Sequence, residues 1–254
     1  MLARLWSDDY IPGVFDDWAR DRRGGLWVAL EDGEIVGIAK LTMLGDREAW
    51  LHALRVDPRR QRRGIGTALL AHRLERARRL GARVARLDTA EDNVAVHRLM
   101  RRFGFRRIGR FTLWMAPARA GDPPRRVTRS EVPATAWLLG RGDGFLHQPY
   151  VERRLTRADV LRATRAGNCL ASDHAAAIVE SWRPRGLPRR LAIHAIGGSP
   201  AGVTALLGEL RAEAKRRGLA HVAFASPSRW WTAARAAGYR RRWRDAMHVF
   251  ERKL

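Results

Sequence analysis

The chain has 254 residues, 46% of them hydrophobic, and a formal charge of +23. That length allows one large domain or two small ones, each with its own core, and the hydrophobic content excludes wholesale disorder. No apolar run approaches the ~18 residues needed to cross a bilayer, and the single cysteine, Cys169, excludes an internal disulfide and argues against a cysteine-built zinc site.

The first residues, Met1 to Asp9, turn acidic at once and contain no apolar core of signal-peptide length, so a cytoplasmic protein is expected. Asp16 to Arg22 reads as the end of a polar helix. Leu26–Leu30 and Ile35–Leu41 are short apolar runs around Asp32-Gly33, the pattern of a β-hairpin. Glu48–Val56 is a third strand. Gly64 to Leu80 is helical, because Leu69, Leu70, Leu74, Ala77 and Leu80 share a face, and Gly81 stops it. A strand over Val84–Asp88, a helix over Asn93–Phe103 closed by Gly104, and a strand over Arg110–Met115 follow. The stretch 119–126, with Pro123-Pro124, loses all periodicity and reads as a linker between a domain over 1–118 and another over 127–254.

The second half repeats the first. Thr67-Ala68-Leu69-Leu70 recurs as Thr204-Ala205-Leu206-Leu207, and Gly81 has its counterpart in Gly218. Val84–Leu87 corresponds to His221–Phe224, and Gly104-Phe105-Arg106-Arg107 to Gly238-Tyr239-Arg240-Arg241. Four matches in order imply two copies of one α/β unit.

The chemistry-bearing segment is the turn from the third strand into the helix. After Asp57-Pro58 comes Arg59-Arg60-Gln61-Arg62-Arg63-Gly64-Ile65-Gly66-Thr67. Glycines let the backbone approach a ligand, a helix N-terminus carries about half a positive charge, and Arg62 and Arg63 add full ones. The combination suits a diphosphate. A P-loop would need a Lys after its last glycine, and a dinucleotide fingerprint would need a glycine where Leu69 stands.

Gln61-Arg62-Arg63-Gly64-Ile65-Gly66, following Leu54-Arg55-Val56, resembles the acetyl-CoA-binding motif of the GNAT superfamily of N-acetyltransferases. Asn93 with Gly104-Phe105 is similar to a second element of that family. The resemblance covers most of 26–115 and extends weakly over 168–250. It implies an α/β (α+β) fold of two GNAT-like mixed-sheet units in tandem, and acetyl-CoA or another acyl-CoA as cofactor. Backbone groups of Leu54, Arg55 and Val56 would pair with the pantetheine arm, N–H groups from Arg62 to Thr67 would hold the diphosphate, and Asn93 would contact the cofactor or order the splayed strand.

Three departures matter. Where the family often has a proton-donating Tyr, this chain has Met100, and a thioether donates no proton. The second copy has lost the loop: Gly198, Ser199 and Pro200 match Gln61, Arg62 and Arg63, and Ala201 and Val203 match Gly64 and Gly66, leaving Gly197-Gly198 as a poor anion nest. Met1 to Asp9 shows none of the family's usual opening strand.

For the proton on an amine nucleophile, Glu48 and His52 share a strand face with Trp50 and are the catalytic candidates; each also has an ordinary structural reading, as does His97. Trp230 and Trp231 read as core before substrate wall.

The expected activity is acyl transfer to a small-molecule or protein amine by direct attack in a ternary complex, with no metal. A non-catalytic acyl-CoA sensor is the alternative that Met100 favours. Nucleic-acid association is suggested by charge alone. Only Lys40, Lys215 and Lys253 are lysines, so the charge is nearly all arginine. That suits phosphate binding, but its spread along the chain fits a composition bias better.

Overall fold

The computed structural model describes residues 11–45, 47–148, 151–183 and 188–254. The opening segment Met1–Asp9, expected to lack a strand, therefore lies outside the described residues. The chain divides into two compact units: one of Met1–Thr89, Asn93–Ile108 and Val249–Leu254, the other of Ala90–Asp92 and Gly109–His248.

The first unit contains α1 (Ile11–Arg20), β1 (Gly25–Glu31), β2 (Glu34–Leu44), β3 (Glu48–Val56), α2 (Ile65–Arg79), β4 (Val84–Ala90) and α3 (Val94–Arg102). Its strands run in the order β1-β2-β3-β4. The β1–β2 hairpin turns at Asp32 and Gly33, both with positive φ (53° and 79°), as a two-residue turn matched to strand twist requires. Strands β1, β2 and β3 are antiparallel, and β3 and β4 are parallel with α2 as the crossover. The apolar stripe of α2 (Leu70, Leu74, Ala77) packs on Leu41, Ala49, Leu51, Ala85 and Leu87, joined by Met100, Phe105 and Phe250. Phe250 comes from the chain's last strand.

The second unit contains most of β5 (Arg106–Pro117), then β6 (Arg125–Arg126), α4 (Val132–Gly140), β7 (Phe145–Gln148), β8 (Val151–Arg154), α5 (Arg157–Arg165), β9 (Cys169–Ser172), β10 (Ala175–Trp182), β11 (Arg190–Gly198), α6 (Pro200–Arg216), β12 (His221–Pro227), α7 (Trp231–Ala236) and β13 (Arg240–Arg241). The order here is β5-β12-β11-β10-β9-β6, with β13 also on β5. β11 and β12 are parallel and α6 is the crossover, repeating the β3-α2-β4 arrangement. Val203, Leu206, Leu207 and Leu210 of α6 pack on Leu191, Ile193, Val222, Phe224 and Trp114. Trp230 is buried in that core. Trp231 lies partly buried against it, donating to the Ser226 carbonyl at 3.0 Å.

The units differ from the contiguous segments 1–118 and 127–254, because final strands are exchanged. β5, the last strand of the first repeat, pairs with β12 of the second from His221↔Pro117 to Pro227↔Phe111. The second repeat ends in β14 (Met247–Lys253), whose residues from Val249 onward count with the first unit. Within the expected linker 119–126, Arg125 and Arg126 are in β6, paired with Ala171 and Leu170.

Candidate functional site

The site is built where β3 leaves β4. The parallel pairing covers only Glu48↔Val84, Ala49↔Ala85 and Trp50↔Arg86, yet β3 runs on to Val56 and β4 to Ala90. Beyond Trp50 the two strands diverge. An irregularity on the other side of β3 accompanies this: Lys40 faces His52 but Ile38 faces Arg55, so β3 carries an extra residue. Ala53 absorbs it at φ 47°, costly for a residue with a Cβ. Arg55 and Val56 stay paired with Ile38 and Gly37 of β2, while on the side of β4 the register ends at Trp50, so Leu54–Val56 lies where an extended ligand arm could join the sheet.

That edge leads into the basic loop. Asp57 accepts from the Arg59 N–H at 2.9 Å and starts a short turn over Pro58–Arg60. Gln61 Nε2 donates back to the Val56 carbonyl at 3.4 Å. Arg62 (φ 65°) and Gly64 (φ 83°) are both left-handed, and Gly64 is the N-cap of α2. Gly64 offers no side-chain cap to this helix start. A Cβ on Gly64 would meet nothing within 4 Å, and one on Gly66 would lie 3.7 Å from Val56 Cγ2 and 3.9 Å from Leu54 Cδ2. The first turn of α2 therefore stands beside the end of β3, with open space at Gly64. Arg60 and Arg63 both pair with Glu31, at 2.9 and 3.3 Å. These partly exposed contacts are weak enough for an anion to displace. Asn93 caps α3 by accepting from the Val96 N–H at 3.2 Å and donates to Thr89 Oγ1 of β4 at 3.1 Å. It thereby ties the diverging strand to the helix after it.

The second repeat closes the same place. Matching Val84–Leu87 to His221–Phe224 through the two parallel registers carries Ala49, Trp50, Leu51 and His52 onto Leu191, Ala192, Ile193 and His194. Pairing again ends there, and β11 runs on to Gly198. Eight residues separate β3 from α2, whereas one, Ser199, separates β11 from α6. The position-by-position match of Gly198, Ser199 and Pro200 to Gln61, Arg62 and Arg63 is therefore corrected: the loop has been removed, not merely substituted. Ser199 Oγ caps the Gly202 N–H at 3.0 Å, so this helix start is satisfied internally. Gly197 is used for packing. A Cβ there would lie 2.2 Å from the Leu138 carbonyl oxygen of α4.

The two catalytic candidates sit differently. His52 lies next to the extra residue, buried, with its ring 5.0 Å from that of Trp18 and 6.2 Å from that of Trp50. Burial, and then the charges of Lys40 and Arg73, push its pKa down to about 3, so the imidazole is neutral at physiological pH. Glu48 stands at the paired end of β3. Its carboxylate is 2.8 Å from Arg86 Nη1, whose Nε is 2.7 Å from Glu251. Met100 is fully buried in the core of the first unit. His97 packs its ring at 5.2 Å on Phe250.

Sequence reasoning missed the polar groups behind β3. Lys40, fully buried, pairs with Asp21 and donates to the Leu41 carbonyl at 2.8 Å. Arg73, equally buried, donates to the carbonyls of Lys40 and His52. A charged residue inside the apolar stripe of α2 was the available signal. In the second unit His147 lies between Asp143, at 2.7 Å, and Glu152, at 3.9 Å. Burial opposes its charge, but the two carboxylates prevail and raise its pKa to about 10. Among the described residues no group of three or more His, Cys, Asp or Glu side chains is placed to hold a metal ion, and no helix is long and apolar enough to cross a membrane.

Residues 3–105 match the model of the acetyltransferase (GNAT) family. A mycothiol acetyltransferase of Sanguibacter keddieii is 34% identical over 111 residues, which is 41% of this chain and 35% of that protein. The N-alpha-acetyltransferase RimI of Mycobacterium tuberculosis is 39% identical over 106 residues, 41% of this chain and 65% of that protein. The aligned region thus spans about a third and about two thirds of these relatives. A GCN5-related N-acetyltransferase from Sphaerobacter thermophilus shares the fold over 97% of this chain and 86% of its own, at TM-score 0.65 and 17% identity. A tandem GNAT protein from the clavulanic acid biosynthesis pathway covers 91% of this chain and 84% of its own, at TM-score 0.53 and 18% identity.

Proposed function

From the match of residues 3–105 to the GNAT acetyltransferase family, we propose that the chain transfers an acyl group, most simply acetyl from acetyl-CoA, to an amine. The amine attacks the thioester carbonyl carbon directly, the C–S bond breaks, and CoA leaves as a thiol with the proton the amine gives up. The cofactor lies in the first unit. The Leu54–Val56 edge takes the pantetheine arm, and the N–H groups from Arg62 to Thr67 hold the diphosphate with Arg62 and Arg63 beside it. Asn93 keeps the diverging strand in place.

The observation that carries this reading is the contrast between the two helix starts. α2 begins at a left-handed glycine with no side-chain cap and open space, whereas Ser199 caps α6. One chain thus presents an anion-binding end in one repeat and withdraws it in the other. The second unit is proposed as a copy without a cofactor, and the repeat segments 1–118 and 127–254 as the evolutionary halves.

For the proton on the amine we propose Glu48 and His52, acting directly or through water. A neutral His52 can accept a hydrogen bond beside the diverging strands. Glu48 must loosen its pair with Arg86 to take part. With Met100 buried among apolar side chains, water relays the amine's proton to the departing thiolate. The relatives, a mycothiol acetyltransferase and an N-alpha-acetyltransferase, suggest acceptors of two kinds, a small thiol-bearing molecule and an α-amino group.

The test is release of free thiol from acetyl-CoA in the presence of a panel of amines and peptide N-termini. Acceptor-dependent release supports the reading. Acetyl-CoA binding with no release for any acceptor favours a sensor, the second reading that Met100 supports.

A further inference from the structure

Arg73 occupies a position made for a leucine. It lies on α2 between Leu70 and Leu74 and is 1% exposed. By the Thr-Ala-Leu-Leu match its counterpart on α6 is Leu210, an ordinary core residue. A guanidinium in such a place is costly unless its donors are used. Here Nη1 donates to the His52 carbonyl at 2.8 Å and to the Lys40 carbonyl at 3.2 Å, while Nε finds no partner among the described residues. Those two carbonyls belong to cross-strand partners, Lys40 on β2 and His52 on β3, immediately before the extra residue Ala53.

We propose that Arg73 is a positioning residue for the acyl-CoA site: its guanidinium pins β2 to β3 at the bulge and so fixes how β3 diverges from β4 and how the Leu54–Val56 edge is presented. The proposal rests on the acyl-CoA reading of the first unit. A bulge that can slide re-aims every side chain and backbone group beyond it, and a helix-borne donor shared by both strands prevents the slide. The second repeat needs no such clamp. Its β11 also carries an extra residue, between the pairs Val179↔Ile193 and Ile178↔Ala195, but α4 packs directly against Gly197 there. The arginine is thus present in the half with the open loop and absent from the half without it. Its charge also faces His52 together with Lys40 of β2 and Asp21 after α1; burial first, then Lys40 and Arg73, keep that imidazole neutral against the opposing pull of Asp21.

The test compares wild type with Arg73→Leu, which copies the second repeat, and Arg73→Lys, which keeps a donor within reach of the two carbonyls. Acetyl-CoA affinity is read by calorimetry, KM and kcat by thiol release, and folding by thermal melting. Arg73→Leu is expected to bind acetyl-CoA about tenfold more weakly, the worth of one lost charged hydrogen bond. Its KM for acetyl-CoA rises, its KM for the amine is unchanged, and Arg73→Lys recovers most of the loss. A lowered melting temperature with acetyl-CoA affinity within twofold of wild type overturns the proposal, because a merely structural residue would give that result. Should Arg73→Leu not fold, Arg73→Met, which keeps a longer flexible stem, is read by the same criteria. Arg73→Lys then carries a further one: hydrogen exchange at Ala53–Val56 no slower than in Arg73→Met would also overturn the clamp. If wild type itself fails to bind acetyl-CoA, the acyl-CoA reading falls first; if wild type binds and Arg73→Leu binds equally, the clamp alone is wrong.

Discussion

Substitution of Gly64 separates folding from ligand binding at the proposed diphosphate loop. Gly64 has φ 83° and open space where a Cβ would go. Gly64→Ala therefore pays only the left-handed strain, about 1 kcal/mol, which for a chain of this size lowers the melting temperature by about 2–4 °C. Gly64→Glu carries the same strain and adds a negative charge next to the bound diphosphate. A unit charge about 4 Å from another, in an environment of intermediate dielectric, contributes a few kcal/mol. After allowance for solvent screening, about 2.7 kcal/mol remains, or about 100-fold in acetyl-CoA affinity. Urea unfolding and isothermal calorimetry on both variants give the two quantities. The reasoning is refuted if Gly64→Glu folds and binds acetyl-CoA within a few-fold of Gly64→Ala.

Gly197→Ala should behave in the opposite way: its Cβ would stand 2.2 Å from a backbone oxygen, so circular dichroism and urea unfolding should report a loss of at least about 3 kcal/mol in the second unit, whereas a loss under 1 kcal/mol would contradict the packing role given to that glycine. Asp21→Asn should cost about 3 kcal/mol in urea unfolding, because it leaves the fully buried Lys40 ammonium without its carboxylate; Lys40→Met with Asp21→Asn should recover part of this. Burial raises the Asp21 pKa, but Lys40 and backbone N–H groups outweigh it and hold it below 3.8. The stability it contributes is therefore present above that pH and fades as pH falls through the lowered value. In the second unit the His147 pKa is raised to about 10 and that of Glu152 is also raised by burial. Stability from His147 is complete below its ordinary value of 6.5 and disappears as pH climbs to 10, so unfolding at pH 6 and pH 9.5 should show a fall that His147→Gln abolishes.

Much of this was legible in the residues. The alternation in 48–56, the paired glycines and the apolar stripe of α2 placed the third strand, the loop and the helix almost to the residue, because each obeys a local rule of period or turn chemistry. Asp32-Gly33 marked its hairpin for the same reason. The exchange of final strands was not legible, since nothing local in 106–117 or 247–253 states which sheet edge each will complete. The closure of the second helix start depended on loop length rather than residue type. A match by fixed offset set Gly198-Ser199-Pro200 against Gln61-Arg62-Arg63, although the strand simply runs into the helix there. Arg73 was visible as a charge among leucines, but its partners are main-chain carbonyls, which no side-chain pattern records.

The central claim is that one repeat holds an acyl-CoA and the other does not. Native mass spectrometry of the purified chain titrated with acetyl-CoA tests it most directly. One acetyl-CoA per chain is expected, lost in Gly64→Glu and retained in Ser199→Ala; no binding, or two equivalents per chain, would contradict the account.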